Sequence, residues 1–399
     1  MIKESQDNYS VEHLYDKQGN LTQLKSNLGA DVKLDYNEYG WVTQMDSQTW
    51  QVKFSYDKQG LEIQRDLSGG IKVETERDNY GRVIRRGVAV NGVMKVSDRY
   101  KWNRTNQLQS IVSDLTRHRV DFKYDQWDNL VSGSYTTTNE LKTIYKTPDA
   151  VGNLYESAKQ DDRVYDKGGK LLKDELHYYY YDAKGNLVFK EYKNTEHPRV
   201  VDKKEIQDRF KIKLQGSGIG YQYIWSVSGM LQEVISPMGN QVQFYYDPMG
   251  RRIAKTSKGE TTRWVWDGNV PLHEWKHKEI YPLPMVVNKA GKLAKATEST
   301  ENLITWLYEV NSFVPCGKIV DGESFSIVSD YLGTPTHAYD KDGALVWNRE
   351  LDIYGRCIKG NNVAYATVWL IYYKHLPDVY LTLCPHFYIK GSIMIKRLS

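Results

Sequence analysis

The segment His273-Glu274-Trp275-Lys276-His277 has a spacing that could perform zinc chemistry. On a helix, two histidines one turn apart share a metal ion, and the glutamate between them activates a water molecule. Here Pro271 lies just upstream, and Trp264-Val265-Trp266 alternates as a strand does. Residues four apart on a strand lie about 13 Å from each other, too far to share one zinc ion. We therefore expect a strand without a metal or cofactor, and a zinc metalloprotease is kept only as an alternative.

Other residues that could carry catalysis lack the partners that catalysis needs. Asp161 and Asp162 are adjacent, and neither has a second carboxylate at a spacing known for acid–base work. The three cysteines, at positions 316, 357 and 384, form no CxxC pair, so neither a disulfide framework nor a thiolate metal site is indicated. The sequence therefore predicts no catalytic residue and a protein that is not an enzyme.

Charge and hydropathy exclude two kinds of partner. The 399 residues include 54 Lys and Arg against 50 Asp and Glu, with the signs interspersed, so we do not expect nucleic acid as a partner. The apolar run at 363–373 is well short of the roughly 20 residues that a membrane-spanning helix needs. Residues Met1–Asp7 lack the apolar segment of a signal peptide, which predicts a cytoplasmic protein before export or without it.

The elements that must position any functional residue come from a repeat. An aromatic residue is followed by Asp, by Gly three residues beyond the Asp, and by an aliphatic residue two beyond the Gly. Clear copies start at Tyr15, Tyr36, Tyr56, Tyr181, Tyr246 and Tyr339. Weaker copies start at Arg77, Trp102, Tyr124, Pro148, Tyr165 and Trp225. Ten of these twelve copies keep Gly, and the other two have Asn106 and Asp128, which also tolerate positive φ.

This spacing predicts a three-residue hairpin loop. The Asp side chain accepts a hydrogen bond from the backbone two residues on, and Gly takes the left-handed position that closes the loop. We expect these structural turn positions to include Asp16, Gly19, Asp57, Gly60, Asp182, Gly185, Asp247, Gly250, Asp340 and Gly343.

Strands must flank every copy, so the sequence predicts an all-β fold of tandem hairpins. Copies 15, 36, 56 and 77 start 20 or 21 residues apart, which is about two strands plus their connections. The 31 Tyr, 11 Trp and 30 Gly suit short twisted strands joined by tight turns. Side by side, the hairpins would form a large spiralling antiparallel sheet whose aromatic face must be covered by curling or by wrapping around something.

The Tyr-Asp repeats over roughly residues 10 to 362 resemble those of the bacterial Rhs and YD-repeat proteins. The core-domain motif Asp330-Tyr331-Leu332-Gly333-Thr334-Pro335 also resembles the start of the Rhs-associated core, with Asp330, Leu332, Gly333 and Pro335 as its marker residues. The resemblance implies a hollow β-shell, incomplete in this chain, that carries a C-terminal toxin and releases it by self-cleavage near a DPxGL motif. Asp247-Pro248-Met249-Gly250 is similar to that motif, but it lies in a Tyr-Asp hairpin and is interpreted as a turn.

The resemblance also divides the chain. It implies a repeat region at 1–270, a variable insertion at 271–302 and the start of the core domain at 303–362. Beyond Asn362 the family continues with a stretch similar to PFLYQGQYYDKETGL, which this chain lacks. Read out of frame with freely chosen codons, residues 386–399 can give FLYQGQYYDKETE. Residues 363–399 are therefore interpreted as an out-of-frame tail on a truncated core, and a divergent C terminus stays the alternative.

By this resemblance the chain is a structural shell fragment of a polymorphic toxin used in interbacterial competition, here without its toxin. Its expected partners are the rest of the shell, the toxin cargo and a secretion-system component, and intact relatives are secreted or lie at the cell surface. The alternative is an adhesive or carbohydrate-binding surface, because exposed Tyr and Trp could stack on sugars.

Overall fold

The computed structural model describes residues 1–194, 202–278, 281–287 and 291–361. These residues form antiparallel strands joined by tight turns, with one short helix among them, so the predicted all-β hairpin fold is confirmed. Residues 363–399, interpreted above as an out-of-frame tail, lie outside the described residues. The eight-residue helix is the sole helix in the described ranges and is far too short to cross a membrane.

The described chain packs into two compact units. The first contains residues 1–145, 263–277 and the described part of 282–361, and the second contains 146–262 together with Lys278 and Tyr281. These units follow from packing, whereas the sequence boundaries at 270 and 302 follow from the repeat pattern. Those boundaries therefore stay a prediction.

The first unit starts with a fourteen-stranded sheet in which each strand pairs with the next one in sequence. Its strands are β1 Ile2–Gln6, β2 Tyr9–Tyr15, β3 Leu21–Ser26, β4 Asp31–Tyr36, β5 Val42–Ser47, β6 Trp50–Tyr56, β7 Glu62–Leu67, β8 Ile71–Arg77, β9 Val83–Val90, β10 Val93–Trp102, β11 Leu108–Ser113, β12 Arg119–Tyr124, β13 Leu130–Thr136 and β14 Leu141–Tyr145. Because consecutive strands are antiparallel, the Tyr-Asp turns after β2, β4, β6, β8, β10 and β12 all lie on the same side of this sheet, at the ends of its strands.

The second unit has its own hairpin series and the helix. Its elements are β15 Thr147–Pro148, β16 Leu154–Tyr155, β17 Val164–Tyr165, β18 Leu171–Lys173, β19 His177–Tyr181, β20 Leu187–Tyr192, α1 Lys203–Phe210, β21 Gly220–Trp225, β22 Leu231–Ile235, β23 Gln241–Tyr246 and β24 Arg252–Ser257. Asp202 caps α1 by accepting hydrogen bonds from two backbone N–H groups of its first turn. Tyr179, Tyr223, Val234 and Phe244 form the centre of its core.

The remaining strands follow β24 along the chain, and the first unit resumes within the first of them. They are β25 Glu260–Asp267, β26 Val270–His277, β27 Met285–Val287, β28 Leu293–Lys295, β29 Ile304–Tyr308, β30 Pro315–Val320, β31 Glu323–Ser329, β32 Pro335–Tyr339, β33 Leu345–Leu351 and β34 Cys357–Asn361. Strands β27 and β28 form a separate ribbon, and the others run in the order β25-β26-β29 to β34.

The core of the first unit lies between the fourteen-stranded sheet and strands β25–β34. Val52 and Val88 from the former share one hydrophobic cluster with Leu307 and Val328 from the latter. The face of the repeat sheet is therefore covered by later strands of the same chain. Burial of such apolar side chains stabilises the fold by roughly 1.5–3 kcal/mol for each one that is fully buried.

Trp50 fixes how these two layers meet. Its indole N–H donates a hydrogen bond to Ser326 Oγ at 3.1 Å, and that hydroxyl donates to the Ser68 carbonyl at 2.8 Å. A Cβ built on Gly317 would lie 2.6 Å from the Trp50 ring. Glycine at 317 therefore lets β30 approach the indole directly.

Candidate functional site

The Tyr-Asp turns share one hydrogen-bond pattern. Asp16 Oδ1 accepts hydrogen bonds from the backbone N–H groups of Gln18 at 2.9 Å and Asn20 at 2.8 Å. The Asp16 N–H in turn donates to the Asn20 carbonyl, which closes the loop. Equivalent pairs of backbone donors reach the carboxylates of Asp57, Asp182, Asp247 and Asp340.

The glycine slot of each turn has left-handed backbone geometry. The φ angles are 89° at Gly19, 81° at Gly60, 87° at Gly185, 80° at Gly250 and 82° at Gly343. Asn106 and Asp128, which replace glycine in two copies, have φ of 62° and 64°. In all of these turns the carboxylate or amide at the second position and the left-handed residue act together to reverse the chain.

Hydrogen bonds within the loop hold the carboxylates of Asp16 and Asp125 ionised. The side-chain amide of Asn20 donates to Asp16 Oδ2 at 2.9 Å, and this bond lowers the pKa of Asp16 below its ordinary value. Asn129 does the same for Asp125. A carboxylate already bound by three donors of its own loop has little capacity left for catalysis.

In eight of the repeats, the aromatic residue before the turn donates a hydrogen bond to the preceding repeat. The Tyr56 hydroxyl donates at 2.7 Å to the carbonyl of Val42, which lies two residues beyond Gly40. The same bond joins Tyr36 to Leu21, Trp102 to Val83, Tyr124 to Leu108, Tyr165 to Leu154, Tyr181 to Leu171, Trp225 to Leu187 and Tyr246 to Leu231.

This bond explains which residue types occupy the aromatic slot. Tyr and Trp carry a donor at the far end of a ring and Phe does not, and the chain has 31 Tyr and 11 Trp against 8 Phe. At Arg77, where the aromatic residue is missing, the guanidinium Nε donates at 3.4 Å to the carbonyl of Glu62, two residues beyond Gly60. At Arg77 the donor is therefore retained although the ring is not.

In eight pairs of successive turns, the residue after the left-handed position of one turn lies against the next turn, a contact that sequence reasoning missed. A Cβ built on Gly60 would lie 2.6 Å from the Trp41 ring. The contact recurs between Asn20 and Gly40, Leu61 and Gly81, Arg82 and Asn106, Gln107 and Asp128, Asn153 and Gly169, Lys170 and Gly185, and Met230 and Gly250. Because the side-chain types vary, position in the repeat is the one signal that could have found it.

The tips of the Tyr-Asp turns of the fourteen-stranded sheet alternate between aromatic side chains and side chains with an amide or hydroxyl group. Tyr39, Tyr80 and Trp127 lie two residues after the Asp or Asn of every second turn and are 68%, 82% and 76% exposed. The other three turns of this series present Gln18, Gln59 and Thr105 at the same position. Successive turns are two strands apart, so the aromatic tips are spaced by roughly 19 Å.

The core-domain motif is built as another turn of this kind. Asp330 Oδ1 accepts hydrogen bonds from the backbone N–H groups of Leu332 and Thr334, both at 2.9 Å, Gly333 has φ of 86°, and Pro335 begins β32. A further turn at Asp352–Gly355 has the same bonds but follows Leu351 rather than an aromatic residue. The repeat copies identified from the sequence do not include this turn, which closes without an aromatic residue before its aspartate.

The residues of the HExxH segment lie on strand β26, and the two histidines have separate partners. His273 Nε2 lies 2.7 Å from Ser26 Oγ and its Nδ1 lies 3.1 Å from Thr305 Oγ1. His277 Nε2 lies 2.7 Å from a carboxylate oxygen of Glu298. In the described ranges no group of three or more His, Cys, Asp or Glu side chains is placed to hold a metal ion.

Asp247-Pro248-Met249-Gly250 also has a structural role. Asp247 Oδ1 accepts hydrogen bonds from the backbone of Met249 and Arg251, and its other oxygen forms an ion pair with the Arg251 guanidinium at 2.7 Å. The segment is a hairpin turn between β23 and β24.

No protein-family model matches the sequence. Over 344 residues, the chain is 24% identical to the probable deoxyribonuclease RhsA of Dickeya dadantii, a match covering 84% of this chain and 20% of that protein. Over 262 residues it is 24% identical to double-stranded DNA deaminase toxin A of Burkholderia cenocepacia, covering 61% of this chain and 16% of that one. The chain thus spans a fifth or less of the length of these curated relatives.

Solved structures share the fold. The crystal structure of TcdB2-TccC3-Cdc42 matches with a TM-score of 0.55 at 13% identity over 90% of this chain and 19% of that one. TcdB2-TccC3 without its hypervariable C-terminal region matches equally well, with a TM-score of 0.55 and 14% identity over the same shares. In sequence the chain is therefore similar to Rhs toxins, and in fold, with its recurring Tyr-Asp turns, it is similar to the TcdB2-TccC3 structures, as expected of an Rhs-type YD-repeat protein.

Proposed function

We propose that this chain is a non-enzymatic part of a shell that encloses and carries a toxin. The observation that supports this most directly is that it resembles two proteins with different activities in their names, a deoxyribonuclease and a DNA deaminase. A segment common to a nuclease and a deaminase is more simply a shared carrier than the source of either activity. The partners of the chain are then the remaining shell, the toxin cargo and a secretion-system component.

The fold comparison supports the same function. The match to TcdB2-TccC3 persists in the form that lacks the hypervariable C-terminal region. The similarity therefore does not depend on the variable part, which is where cargo differences are expected. Within the described residues, the turn carboxylates and the HExxH histidines have structural partners, as described above.

Two assays test this proposal. The purified chain, incubated with double-stranded DNA and Mg²⁺, should neither cleave the DNA nor deaminate its cytosines, and either reaction would contradict a non-enzymatic role. In the second assay, the toxin domain of the deaminase relative is added as a separate unfolded chain. It should co-purify with the shell chain and be digested more slowly by a protease, whereas unchanged digestion would contradict the carrier role.

The exposed turn tips favour a second function, binding of a neutral polysaccharide. Tyr39, Tyr80 and Trp127 offer flat rings to one face of a linear polymer, and the amide and hydroxyl side chains between them offer hydrogen bonds. Affinity electrophoresis in gels that contain a neutral glucan tests this. Retardation that is lost in the triple alanine variant, and kept in a Val151→Ala control at an exposed turn of the second unit, would support binding at the tips. Equal mobility with and without glucan would contradict it.

A further inference from the structure

The ribbon formed by β27 and β28 carries exposed apolar side chains at the end where its two strands are connected. Val287 and Leu293 are direct cross-strand partners, so their side chains project from the same face, and they are 70% and 67% exposed. The adjacent Val286 projects from the opposite face, because side chains alternate along a strand, and it is also exposed. The end of the ribbon is therefore apolar on both faces.

The root of the ribbon is fixed to the first unit. Lys295 Nζ forms an ion pair with Asp7 at 2.6 Å. Three residues further on, the almost fully buried carboxylate of Glu298 accepts hydrogen bonds from Arg263 Nε and from the Tyr9 hydroxyl, both at 2.9 Å. Within the described ranges the ribbon forms a sheet of its own, so no other described strand pairs with its two edges. The fold thus holds the apolar end of the ribbon in water, and its burial against a partner would be favourable.

The charged residues of this segment have a single sign. Every charged residue between positions 282 and 297 is a lysine. Lys292 is exposed and comes directly before Leu293, at the apolar end, whereas Lys295 contacts Asp7 near the root. A lysine beside apolar side chains can lay its methylene stem along them and keep its ammonium group in the headgroup region of a bilayer. The end of the ribbon is therefore complementary to a surface with negative charge outside and hydrocarbon beneath.

An anionic lipid surface matches both properties. A flat protein surface would cover one face of the ribbon and leave either Val286 or the pair of Val287 and Leu293 in water, whereas lipid contacts both faces. A three-residue strand extends roughly 10 Å, and interfacial segments penetrate about 5–10 Å, to the boundary between headgroups and acyl chains. At that depth water still reaches the unpaired backbone groups at the edges of the ribbon. We propose that the end of the β27–β28 ribbon inserts at the surface of an anionic membrane.

Vesicle flotation tests this with the full chain. Vesicles of phosphatidylcholine alone are compared with vesicles of equal parts phosphatidylcholine and phosphatidylglycerol, and soluble polyglutamate is the probe for an acidic polypeptide. The chain should float with the anionic vesicles, and raised salt should weaken this binding because the lysine contribution is screened. Absence of flotation, or equal flotation with both kinds of vesicle, would overturn the proposal. Binding to polyglutamate without flotation would identify an acidic polypeptide as the partner and would overturn it as well.

Matched variants assign the binding to the ribbon. The double variant Val287→Ser/Leu293→Ser keeps the net charge and should bind the anionic vesicles at least about tenfold more weakly, since it removes two apolar side chains from the interface. A Val93→Ser/Leu141→Ser control, at exposed positions elsewhere in the first unit, should bind like the parent chain. Equal binding by the parent and the ribbon variant, or equal losses in the ribbon and control variants, would overturn the proposal.

A charge variant gives a second, independent measurement. Lys292→Gln leaves the apolar side chains in place and should weaken binding to the anionic vesicles about fivefold. All of the substituted side chains are exposed, so the melting temperatures of the variants should stay within about 3 °C of the parent. Unchanged binding by a folded Lys292→Gln variant would contradict the placement of this lysine at the headgroups.

Discussion

Replacing Tyr56 by Phe removes one hydroxyl group and leaves the ring in place. The hydroxyl donates to the Val42 carbonyl at 2.7 Å, and burial raises the pKa of Tyr56 to about 12, which shows how far it is withdrawn from water. We expect Tyr56→Phe to lower the free energy of unfolding by about 1 kcal/mol, measured by urea titration. Tyr15, in the first turn, has no hydrogen bond from its hydroxyl to a described residue, so Tyr15→Phe is the matched control. Equal losses in the two variants would contradict the role of the hydroxyl.

His273 predicts a pH dependence of stability. Burial lowers its pKa from an ordinary 6.5 to about 3, so between these values the unfolded chain binds a proton that the folded chain does not. The stability contributed by neutral His273 is therefore present above pH 6.5 and is lost as the pH falls toward 3. We expect His273→Gln to flatten the decrease in unfolding free energy between pH 7 and 5.

His13 provides the opposite case for the same titration. Its hydrogen bond to Asp267 raises the pKa of His13, so its contribution is present below pH 6.5 and is lost as the pH rises through the folded value. His13→Gln should therefore steepen the net loss of stability on acidification. Parallel curves for the parent and the two variants would show that neither histidine has the environment described here.

At the residue scale, the sequence predicted the turn but not the hydrogen bond that its aromatic residue donates to the preceding repeat. The Asp and Gly positions follow from local backbone chemistry, which a single chain segment reveals. The partner of Tyr56 is a carbonyl on the preceding repeat, fourteen residues away. An excess of Tyr and Trp over Phe was visible in the composition, but only the position of the acceptor explains it.

At the scale of the hairpin, the contact between Trp41 and Gly60 predicts a difference between two glycine substitutions. Both Gly60 and Gly19 have positive φ, but a Cβ on Gly19 would meet nothing within 4 Å and one on Gly60 would meet the Trp41 ring at 2.6 Å. Gly19→Ala should cost about 1 kcal/mol of unfolding free energy and Gly60→Ala about 2–3 kcal/mol.

The double variant completes this test. In a Trp41→Ala background the cost of Gly60→Ala should fall to that of Gly19→Ala, because only the backbone strain remains. Chemical denaturation of the single and double variants gives the coupling between them. Additive costs would contradict a contact between successive turns.

The hairpins themselves were predictable because each depends on a few neighbouring residues. The turn at Asp352 was not predicted, because Leu351 replaces the aromatic residue, and the loop still closes. The contacts between successive turns were not predictable, because Trp41, Leu61 and Arg82 occupy the same position with unrelated side chains.

At the scale of the whole first unit, Trp50 and Gly317 predict a coupling across 267 positions of sequence. Gly317→Ala would place a Cβ 2.6 Å from the indole and should cost about 2–3 kcal/mol. In a Trp50→Phe background the smaller ring should reduce that cost, which thermal or urea denaturation can measure. Independent effects that add within about 0.5 kcal/mol would contradict the packing described here.

The pairing of the two layers could not be read from the sequence. The aromatic face of the repeat sheet was expected to need a cover, but nothing near Trp50 indicates that Ser326 and Gly317 supply it. Contacts over such separations depend on the route of the whole chain.

The link from each turn to the next has a consequence for how such a chain changes length in evolution. Because the aromatic donor and the residue after the glycine reach only the adjacent repeat, duplication of one repeat adds two strands and restores every link along the edge. The same duplication would displace Trp50 from Gly317 by roughly 10 Å, the width of two strands. Gains and losses of repeats should therefore be tolerated beyond the strands that pack on β29–β32 and selected against among them.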